Sequence, residues 1–261
     1  MTSLKAKLAN TDAHLSGVVC TIPSATVTQA IAASGADYVV IDMEHGALDH
    51  GSVHAMIAAT QGSGCAPLVR VAENNEAQVK RMLDLGAEGI VFPLIPTAAD
   101  AERAVASLRY PPNGTRGFGP SIAQSRWQSS LPTYQKEVEE ALICCLLIET
   151  AEAVENAAEI MSVPGIDVVV PAPFDLSTAM GVSGQFQHPD FLNALITVED
   201  AAKAAGVPLI GNAAPTREDC IAMLERGYVA LTGFDILWLR QNRRACRLVR
   251  HLTAPTHPVV F

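Results

Sequence analysis

Short apolar segments alternate with helical patterns along this whole chain, and the alternation limits the folds that are open to it. The apolar segments are Gly17–Thr21, Tyr38–Asp42, Pro67–Val71, Gly89–Pro93, Leu142–Glu149, Asp167–Pro171, Pro208–Gly211 and Tyr228–Thr232. The helical patterns between them are clearest at Ala77–Leu85, Ala98–Leu108, Ala151–Met161, Phe191–Ala205 and Thr216–Arg226. Apolar runs that each precede a helix are typical of buried parallel strands. Eight such units predict an α/β fold of the (β/α)8 barrel type, although a long open sheet would give a similar alternation.

The length and composition agree with one barrel. The chain has 261 residues, and a single (β/α)8 barrel takes about 250. Hydrophobic residues make up 49% of the chain and charged residues 17%, which argues against disorder. No Gly/Ser-rich linker and no short-period repeat divides the sequence. We therefore expect residues 1–261 to form a single domain.

Charge and cysteine content exclude several classes of partner. The net charge is −9 with no basic stripe, so we expect no nucleic acid and no membrane among the partners. No apolar run approaches the roughly 20 residues of a membrane-spanning helix, and residues 1–10 contain no apolar signal core. The six cysteines have no CxxC spacing and lie mostly in apolar segments. This pattern indicates reduced thiols and a cytoplasmic protein.

Two carboxylates follow consecutive predicted strands. Glu149 comes directly after the apolar run that begins at Ala141, and Asp175 comes shortly after Ile166–Val170. Because the carboxyl ends of neighbouring parallel strands meet at one rim, we expect the two side chains to lie side by side. A hard divalent cation needs such a pair, with waters and substrate oxygens in its other positions. The alternative is that Glu149 caps the next helix and Asp175 caps a turn.

Ionisable residues also follow the second and third predicted strands. Asp42, Glu44 and His45 lie within four positions, where a histidine beside a carboxylate can transfer protons and Asp42 can fix the imidazole tautomer. The alternative is that Glu44 and His45 simply begin the next helix. Arg70 ends the third strand, where burying a guanidinium is costly unless it meets an anion such as a carboxylate or an enolate oxygen. Asp84 is expected to support the site, within the subunit or across a subunit interface, or to form a surface ion pair.

Two further segments are unusual. The connection Arg109–Gln128 is long and rich in Gly and Pro, which is typical of a functional lid or an interface arm, with a tolerated insertion as the alternative. Asp235–Leu252 is amphipathic and rich in arginine. It is either the last barrel helix or an element that reaches a neighbouring subunit.

Several sequence blocks occur together in a known family, in order and at matching spacing. They are Ile41–Gly46, Arg70–Val71, Tyr110–Pro112 with Gly114, Arg116–Gly117, Ile148–Thr150 and Asp175–Ser177. From about residue 15 to residue 235 the chain resembles the HpcH/HpaI aldolases, the metal-dependent pyruvate aldolases typified by hydroxy-oxoheptanedioate aldolase.

The resemblance implies a fold, an assembly and a set of site residues. It implies a barrel of the phosphoenolpyruvate/pyruvate-binding superfamily, assembled as a homohexamer (a trimer of dimers) with exchanged C-terminal helices. It implies Glu149 and Asp175 as ligands of Mg²⁺, Mn²⁺ or Co²⁺, Arg70 on the pyruvyl oxygens, and His45 as the acid–base group. The substrates would be pyruvate and an aldehyde, with no Schiff-base lysine and no nucleotide cofactor.

The chain departs from the family pattern around the expected substrate pocket. Leu147 stands where many relatives have Gln, Val19 replaces a Trp, and Asn212 occupies an often apolar position. The segment before Asp175 reads Val170-Pro171-Ala172-Pro173-Phe174. These changes are expected to alter the acceptor pocket but not the metal site. The residues expected to bind substrate are therefore Val19, Glu44, Arg70, Leu147, Pro173, Phe174 and Asn212.

Three functions are compatible with these residues. The first is a metal-dependent class II aldolase that adds pyruvate to an aldehyde and cleaves 4-hydroxy-2-oxo acids. The second is a decarboxylase of oxaloacetate-type 2-oxo acids, which would need the same metal and Arg70 but no aldehyde pocket. The third is a catalytically silent barrel that binds a small acid, since a fold alone does not fix a function.

Overall fold

The described part of the chain forms a closed barrel of parallel strands. The computed structural model describes residues 3–10, 14–212 and 216–240. Its strands follow one another around the barrel in sequence order, and β8 pairs with β1. They are β1 Leu15–Cys20, β2 Tyr38–Asp42, β3 Ala66–Arg70, β4 Gly89–Phe92, β5 Ile143–Ile148, β6 Val168–Pro171, β7 Leu209–Asn212 and β8 Tyr228–Phe234. The predicted (β/α)8 barrel is confirmed, and the open sheet is excluded.

Helices separate the strands, as the sequence patterns predict. Those of the described residues are α1 Leu4–Leu8, α2 Ala25–Ala33, α3 His50–Ala59, α4 Glu76–Asp84, α5 Ala98–Leu108, α6 Ala123–Trp127, α7 Leu131–Val138, α8 Ala151–Glu155, α9 Ala157–Met161, α10 Pro173–Ala179, α11 Pro189–Ala205 and α12 Arg217–Glu225, with a 3-10 turn at Glu139–Ala141. The predicted helix Ala151–Met161 is two helices. Asn156 interrupts it with φ −95° and ψ 7°, and its side-chain amide donates to the Pro96 carbonyl at 2.9 Å.

The strand register brings the candidate residues to one rim. Asp42 is aligned with Arg70 across β2 and β3, and Ile148 with Pro171 across β5 and β6. Glu149 and Asp175 follow these last two strands. Since all strands run in one direction, their carboxyl ends open on the same face of the barrel, which is where barrels of this type carry their sites.

A helix and an apolar core close the opposite end. Leu4 and Leu8 of α1 are buried and belong to the same apolar cluster as the residues that point into the barrel. The helix is tied to the barrel by ion pairs of Lys7 with Asp37, at 2.7 Å, and of Lys5 with Asp167, at 3.0 Å. A second cluster, larger than the first, packs the outside of the strands against the surrounding helices.

The absence of a side chain at Gly17 makes room for Tyr38 inside the barrel. A Cβ at Gly17 would lie 2.1 Å from Cε2 of the Tyr38 ring, far closer than two carbons can approach. The ring is fully buried, and its hydroxyl is 2.6 Å from Oγ1 of Thr232 on β8. Gly17 therefore lets a large side chain fill the lower barrel.

The connection Arg109–Gln128 lies at the end of the barrel opposite the candidate site. Arg126 forms an ion pair at 2.5 Å with Glu88, which directly precedes β4, and Arg116 forms one with Asp84 at the end of α4. Both contacts are at the amino-terminal ends of the strands. The expectation that this connection is a lid over its own site is therefore wrong, because α5 carries the chain back to the far end before the connection begins. An interface arm stays a prediction.

The C-terminal segment is only partly described. Residues 235–240 are helical, whereas residues 241–252 of the predicted amphipathic segment lie outside the described residues. The exchanged C-terminal helix and the single domain over residues 1–261 therefore remain predictions. Within the described ranges, no helix is both long enough and apolar enough to cross a membrane.

Candidate active site

A cavity of about 210 Å³ opens at the carboxyl rim of the barrel and continues into its interior. It is lined by eight of the residues that the sequence predicted for the site: Val19, His45, Arg70, Leu147, Pro173, Phe174, Asp175 and Asn212. These residues come from the ends of six strands and from the segments that follow them. The structure thus brings most of the predicted constellation to one place.

Asp42 holds Arg70 with both carboxylate oxygens. Nε of Arg70 donates to Oδ1 at 2.8 Å, and Nη2 donates to Oδ2 at 2.6 Å. The Asp42 side chain is fully buried and that of Arg70 is 13% exposed. Such a two-pronged ion pair fixes the plane of the guanidinium. Arg70 is therefore presented to the cavity in one orientation.

The prediction that Asp42 orients the imidazole of His45 is wrong. Besides Arg70, Oδ1 of Asp42 accepts the backbone N–H groups of Glu44, at 3.1 Å, and His45, at 3.3 Å. These bonds fix the turn after β2, and none of them involves the imidazole of His45. The imidazole is largely exposed, and its Nε2 is 3.8 Å from Oε2 of Glu44. Strand register explains the difference, because Arg70 stands directly beside Asp42.

Glu44 is a further acidic group at the rim. Its Oε2 is 3.2 Å from Nη1 of Arg70, yet it is buried without a hydrogen bond among the described residues. Burial raises the pKa of Glu44, and the charges of Arg70 and His45 act against that rise. The pKa of Arg70 is raised: burial works to lower it, and the carboxylates of Asp42 and Glu44 outweigh burial. Arg70 is therefore a permanent cation in an acidic surrounding.

Glu149 is buried at the end of β5. Burial raises the pKa of its carboxyl to about 7, and the neighbouring carboxylates of Glu44 and Asp175 add to the shift. The backbone N–H of Leu94 donates to Oε1 of Glu149 at 2.5 Å, which acts in the opposite direction. A carboxyl with these surroundings favours a proton or a bound cation at neutral pH.

Leu94 contacts a candidate site residue in a way that the sequence did not predict. It follows β4 with a φ of +53°, a left-handed backbone conformation that is strained for a residue with a side chain. Its side chain is exposed, so packing of the side chain does not explain this conformation. The conformation does direct the backbone N–H of Leu94 toward Glu149. Nothing in the segment Pro93-Leu94-Ile95-Pro96 indicates a left-handed residue, because such residues are usually Gly or Asn.

Asp175 lies at the rim in the first turn of α10, which begins at Pro173. Its charge contributes to the raised pKa values of both Glu44 and Glu149. Together with Asp42, four carboxylates of the described residues therefore share this rim with Arg70. Among the described residues there is no preformed group of three His, Cys, Asp or Glu side chains that could hold a metal ion. Glu149 and Asp175 supply two hard oxygen donors, which suits a cation that keeps waters and substrate oxygens as its other ligands.

Asp84 lies away from this cavity. It ends α4, at the far end of the barrel, and its Oδ1 accepts from Nη2 of Arg116 at 2.9 Å. The Arg116 side chain is fully buried against the ring of Tyr110. A contact of Asp84 with the site of its own subunit is thus excluded by its position. A contribution to a neighbouring subunit stays a prediction.

The interior of the cavity contains residues that the sequence did not single out. Tyr38, Thr232 and Cys145 line its lower part. They lie within apolar strands, and periodicity alone does not reveal that the barrel is incompletely filled above them.

Comparisons with known proteins agree with this geometry. The family model for HpcH/HpaI aldolase/citrate lyase matches residues 17–240. The chain is 37% identical to 2-dehydro-3,6-dideoxy-6-sulfogluconate aldolase of Pseudomonas putida over 205 residues, 78% of this chain and 80% of that one. It is also 37% identical to 4-hydroxy-2-oxo-heptane-1,7-dioate aldolase of Salmonella dublin over 192 residues, 72% of this chain and 73% of that one.

A solved structure supports the same assignment. The HpcH/HpaI aldolase from Desulfitobacterium hafniense DCB-2 superposes with a TM-score of 0.89 at 27% sequence identity, covering 99% of this chain and 100% of that one. The chain is therefore an enzyme of the HpcH/HpaI aldolase/citrate lyase family, with the carbon–carbon lyase activity of an aldolase.

Proposed function

We propose that this enzyme is a metal-dependent class II aldolase that cleaves 4-hydroxy-2-oxo acids to pyruvate, or a close 2-oxo acid, and an aldehyde, and also catalyses the reverse addition. The observation that carries this proposal is the arrangement at the rim. Arg70, which Asp42 holds in a fixed orientation, lines the same cavity as Asp175, and its charge acts on the carboxyl of Glu149. Two relatives that are 37% identical are named as aldolases of 2-oxo acids.

Glu149 and Asp175 would hold a divalent cation such as Mg²⁺, Mn²⁺ or Co²⁺. When bound, the cation supplies Lewis acidity that favours loss of a C3 proton from the 2-oxo acid. The preference of Glu149 for a positive partner supports this assignment, since its carboxyl is buried among other carboxylates. Oxygen donors from two carboxylates also match the hard character of these ions.

Arg70 would stabilise negative charge on the 2-oxo acid. As the C3–C4 bond of the substrate breaks, its electron pair passes to the carbonyl group and gives the enolate of pyruvate. Arg70 lines the cavity and is already oriented by Asp42, so its remaining N–H groups meet the developing charge without reorganising. The backbone N–H groups of Phe174 and Asp175, in the first turn of α10, would receive the substrate carboxylate.

His45 would transfer the proton of the C4 hydroxyl group. In cleavage it accepts that proton while the aldehyde forms, and in addition it returns a proton to the new alkoxide. The imidazole is at the open rim, and its carboxylate neighbour is Glu44. We propose that Glu44, not Asp42, is the carboxylate that accompanies the imidazole of His45 during the reaction.

Other parts of the proposal rest on the family resemblance. They are a cytoplasmic homohexamer built as a trimer of dimers, a role in the catabolism of aromatic compounds, and a contribution of Asp84 to the site of a neighbouring subunit. The exposed rim at His45 and the position of Asp84 at the opposite end of its own barrel are compatible with such an assembly.

The test is pyruvate-dependent consumption of a panel of aldehydes, with Mg²⁺ or Mn²⁺ and with excess chelator. The proposal expects consumption that requires both pyruvate and metal. Decarboxylation of oxaloacetate without any aldehyde consumption would favour the decarboxylase instead. Binding of pyruvate with neither reaction would indicate the silent barrel. Consumption that persists in chelator would refute the metal site.

A further inference from the structure

We propose that the substrate carries an uncharged, apolar chain without a second acid group, and that this chain lies in the barrel interior below the charged rim. This inference rests on the proposed function and names the substrate class of the same site. The chain arrives either with the aldehyde or with the 2-oxo acid. Its chemistry is the same in both cases.

The wall of the cavity below Arg70 and Asp175 is apolar. The side chains that form it come from six strands and are Val19, Val40, Val91, Leu147, Val170 and Ile210. The cavity volume of about 210 Å³ equals that of about seven water molecules at roughly 30 Å³ each. This space is larger than a small 2-oxo acid needs alone, and it suits a short hydrocarbon extension.

Among the described residues, the cavity offers no positive charge for a second acid group. Of the described residues that line the cavity, only Arg70 and His45 are basic. Arg70 is bound by Asp42 and Glu44, and the proposed function assigns its remaining N–H groups to the enolate oxygen of the 2-oxo acid. A distal carboxylate or sulfonate would lie beside apolar side chains and the rim carboxylates, with no counter-ion among the described residues, which is strongly unfavourable.

The polar groups in the lower cavity are neutral. The hydroxyl of Tyr38 is bonded to Thr232, so the two groups satisfy each other. Burial raises the pKa of Tyr38 and of Cys145, and both groups stay uncharged. Asn212 offers a neutral amide at the upper wall. The cavity therefore accepts hydrocarbon and, at most, one neutral oxygen near Asn212.

The first arm of the test varies the aldehyde at fixed pyruvate and metal. The probes are 4-oxobutanoate, its neutral amide 4-oxobutanamide, and the alkanals propanal to hexanal. If the aldehyde brings the apolar chain, kcat/KM rises roughly fourfold per methylene until the cavity is full, from about 0.8 kcal/mol per buried CH₂. Pentanal then exceeds 4-oxobutanoate by on the order of 10²-fold.

The second arm varies the 2-oxo acid. C3 deuterium exchange is followed for pyruvate, 2-oxobutanoate and 2-oxopentanoate without aldehyde. The apolar chain is assigned to the 2-oxo acid if exchange efficiency rises with the chain length of the 2-oxo acid while kcat/KM stays constant across the alkanals. Rates that do not change with chain length in either series, or a preference for 4-oxobutanoate, overturn the inference. The proposed function stays intact in that case as long as pyruvate itself exchanges its C3 protons. If pyruvate itself does not exchange, the proposed function fails.

A pair of matched variants locates the effect. Leu147→Gln puts an amide into the wall and should reduce the ratio of kcat/KM for pentanal over that for 4-oxobutanamide by roughly tenfold or more. Ile196→Gln makes the same kind of change on the outer surface of α11, where the side chain is 50% exposed, and should leave the ratio unchanged. Leu147→Met keeps this position apolar and therefore tests whether any substitution at residue 147 changes the ratio. An unchanged ratio in folded Leu147→Gln would place the chain elsewhere and refute the proposal.

Discussion

Replacing Asp42 with Asn should damage both the stability and the chemistry of the enzyme. The substitution keeps the shape of the side chain and removes its charge, so the buried guanidinium of Arg70 loses its two-pronged partner at 2.8 and 2.6 Å. The new amide also turns an N–H group toward the donors of Arg70 or toward the backbone N–H groups of Glu44 and His45. Glu44 then remains as the counter-ion of Arg70.

The size of the effect follows from the burial of the pair. Removing one partner of a buried ion pair costs about 3 to 5 kcal/mol, and Asp42 is fully buried while Arg70 is 13% exposed. The free energy of unfolding, from urea titration of the variant, should fall by this amount. Pyruvate C3 exchange should fall on the order of 10²-fold, since a displaced guanidinium no longer meets the enolate oxygen.

A control substitution separates this effect from a general loss of an aspartate. Asp190, at the start of α11, pairs with His188 and is 74% exposed. Asp190→Asn should change the free energy of unfolding by less than about 0.5 kcal/mol. An Asp42→Asn enzyme that loses less than about 1 kcal/mol and exchanges pyruvate at the normal rate would refute the role of Asp42 as the group that positions Arg70.

Four further predictions concern other parts of the molecule. In chelator, the free energy of unfolding should decrease from pH 5 to pH 8. Glu149 has a pKa of about 7 in the folded protein and about 4.3 when unfolded, so the unfolded chain loses this proton first as the pH rises. Urea titrations should show a smaller decrease in Glu149→Gln. Metal affinity, measured by calorimetry, should rise with pH up to about 7 in the native enzyme, since the carboxyl must lose its proton to bind. Leu94→Gly, which keeps the N–H and suits a φ of +53°, should retain metal affinity, whereas Leu94→Pro should weaken it; equal affinities would show that the bond to Glu149 does not matter. Gly17→Ala should lower the thermal midpoint by several degrees, because its Cβ would lie 2.1 Å from the Tyr38 ring, and an unchanged midpoint would refute that packing.

The fold was largely predictable because each strand has a local signature. An apolar run such as Tyr38-Val39-Val40-Ile41 is buried on both faces in a parallel barrel, so it is continuous in sequence and easy to locate. Strand ends were less predictable. The last strand continues to Phe234, two residues beyond the predicted end, and Asp235 then accepts the backbone N–H groups of Thr21 and Ile22. That extension depends on a partner more than two hundred residues away.

The contacts between the site residues were less predictable than which residues lie at the site. Closeness in sequence suggested that Asp42 orients the imidazole of His45, whereas the register of β2 and β3 places Asp42 beside Arg70. Asp84 could be recognised as a candidate, but the direction of α4 carries it to the opposite end of the barrel. The backbone N–H of Leu94 has no residue-type signal at all. Contacts of these kinds are determined by three-dimensional geometry that periodicity and spacing do not contain.

The most direct test of the central claim is exchange of the C3 protons of pyruvate for deuterium, followed by NMR without any aldehyde. The measurement compares the native enzyme with Mg²⁺ or Mn²⁺, the native enzyme in excess chelator, and Glu149→Gln with metal. The account predicts exchange in the first sample and a loss of at least about 10²-fold in the other two, because Glu149 is assigned to hold the cation. Exchange at the native rate in chelator and in Glu149→Gln would contradict it.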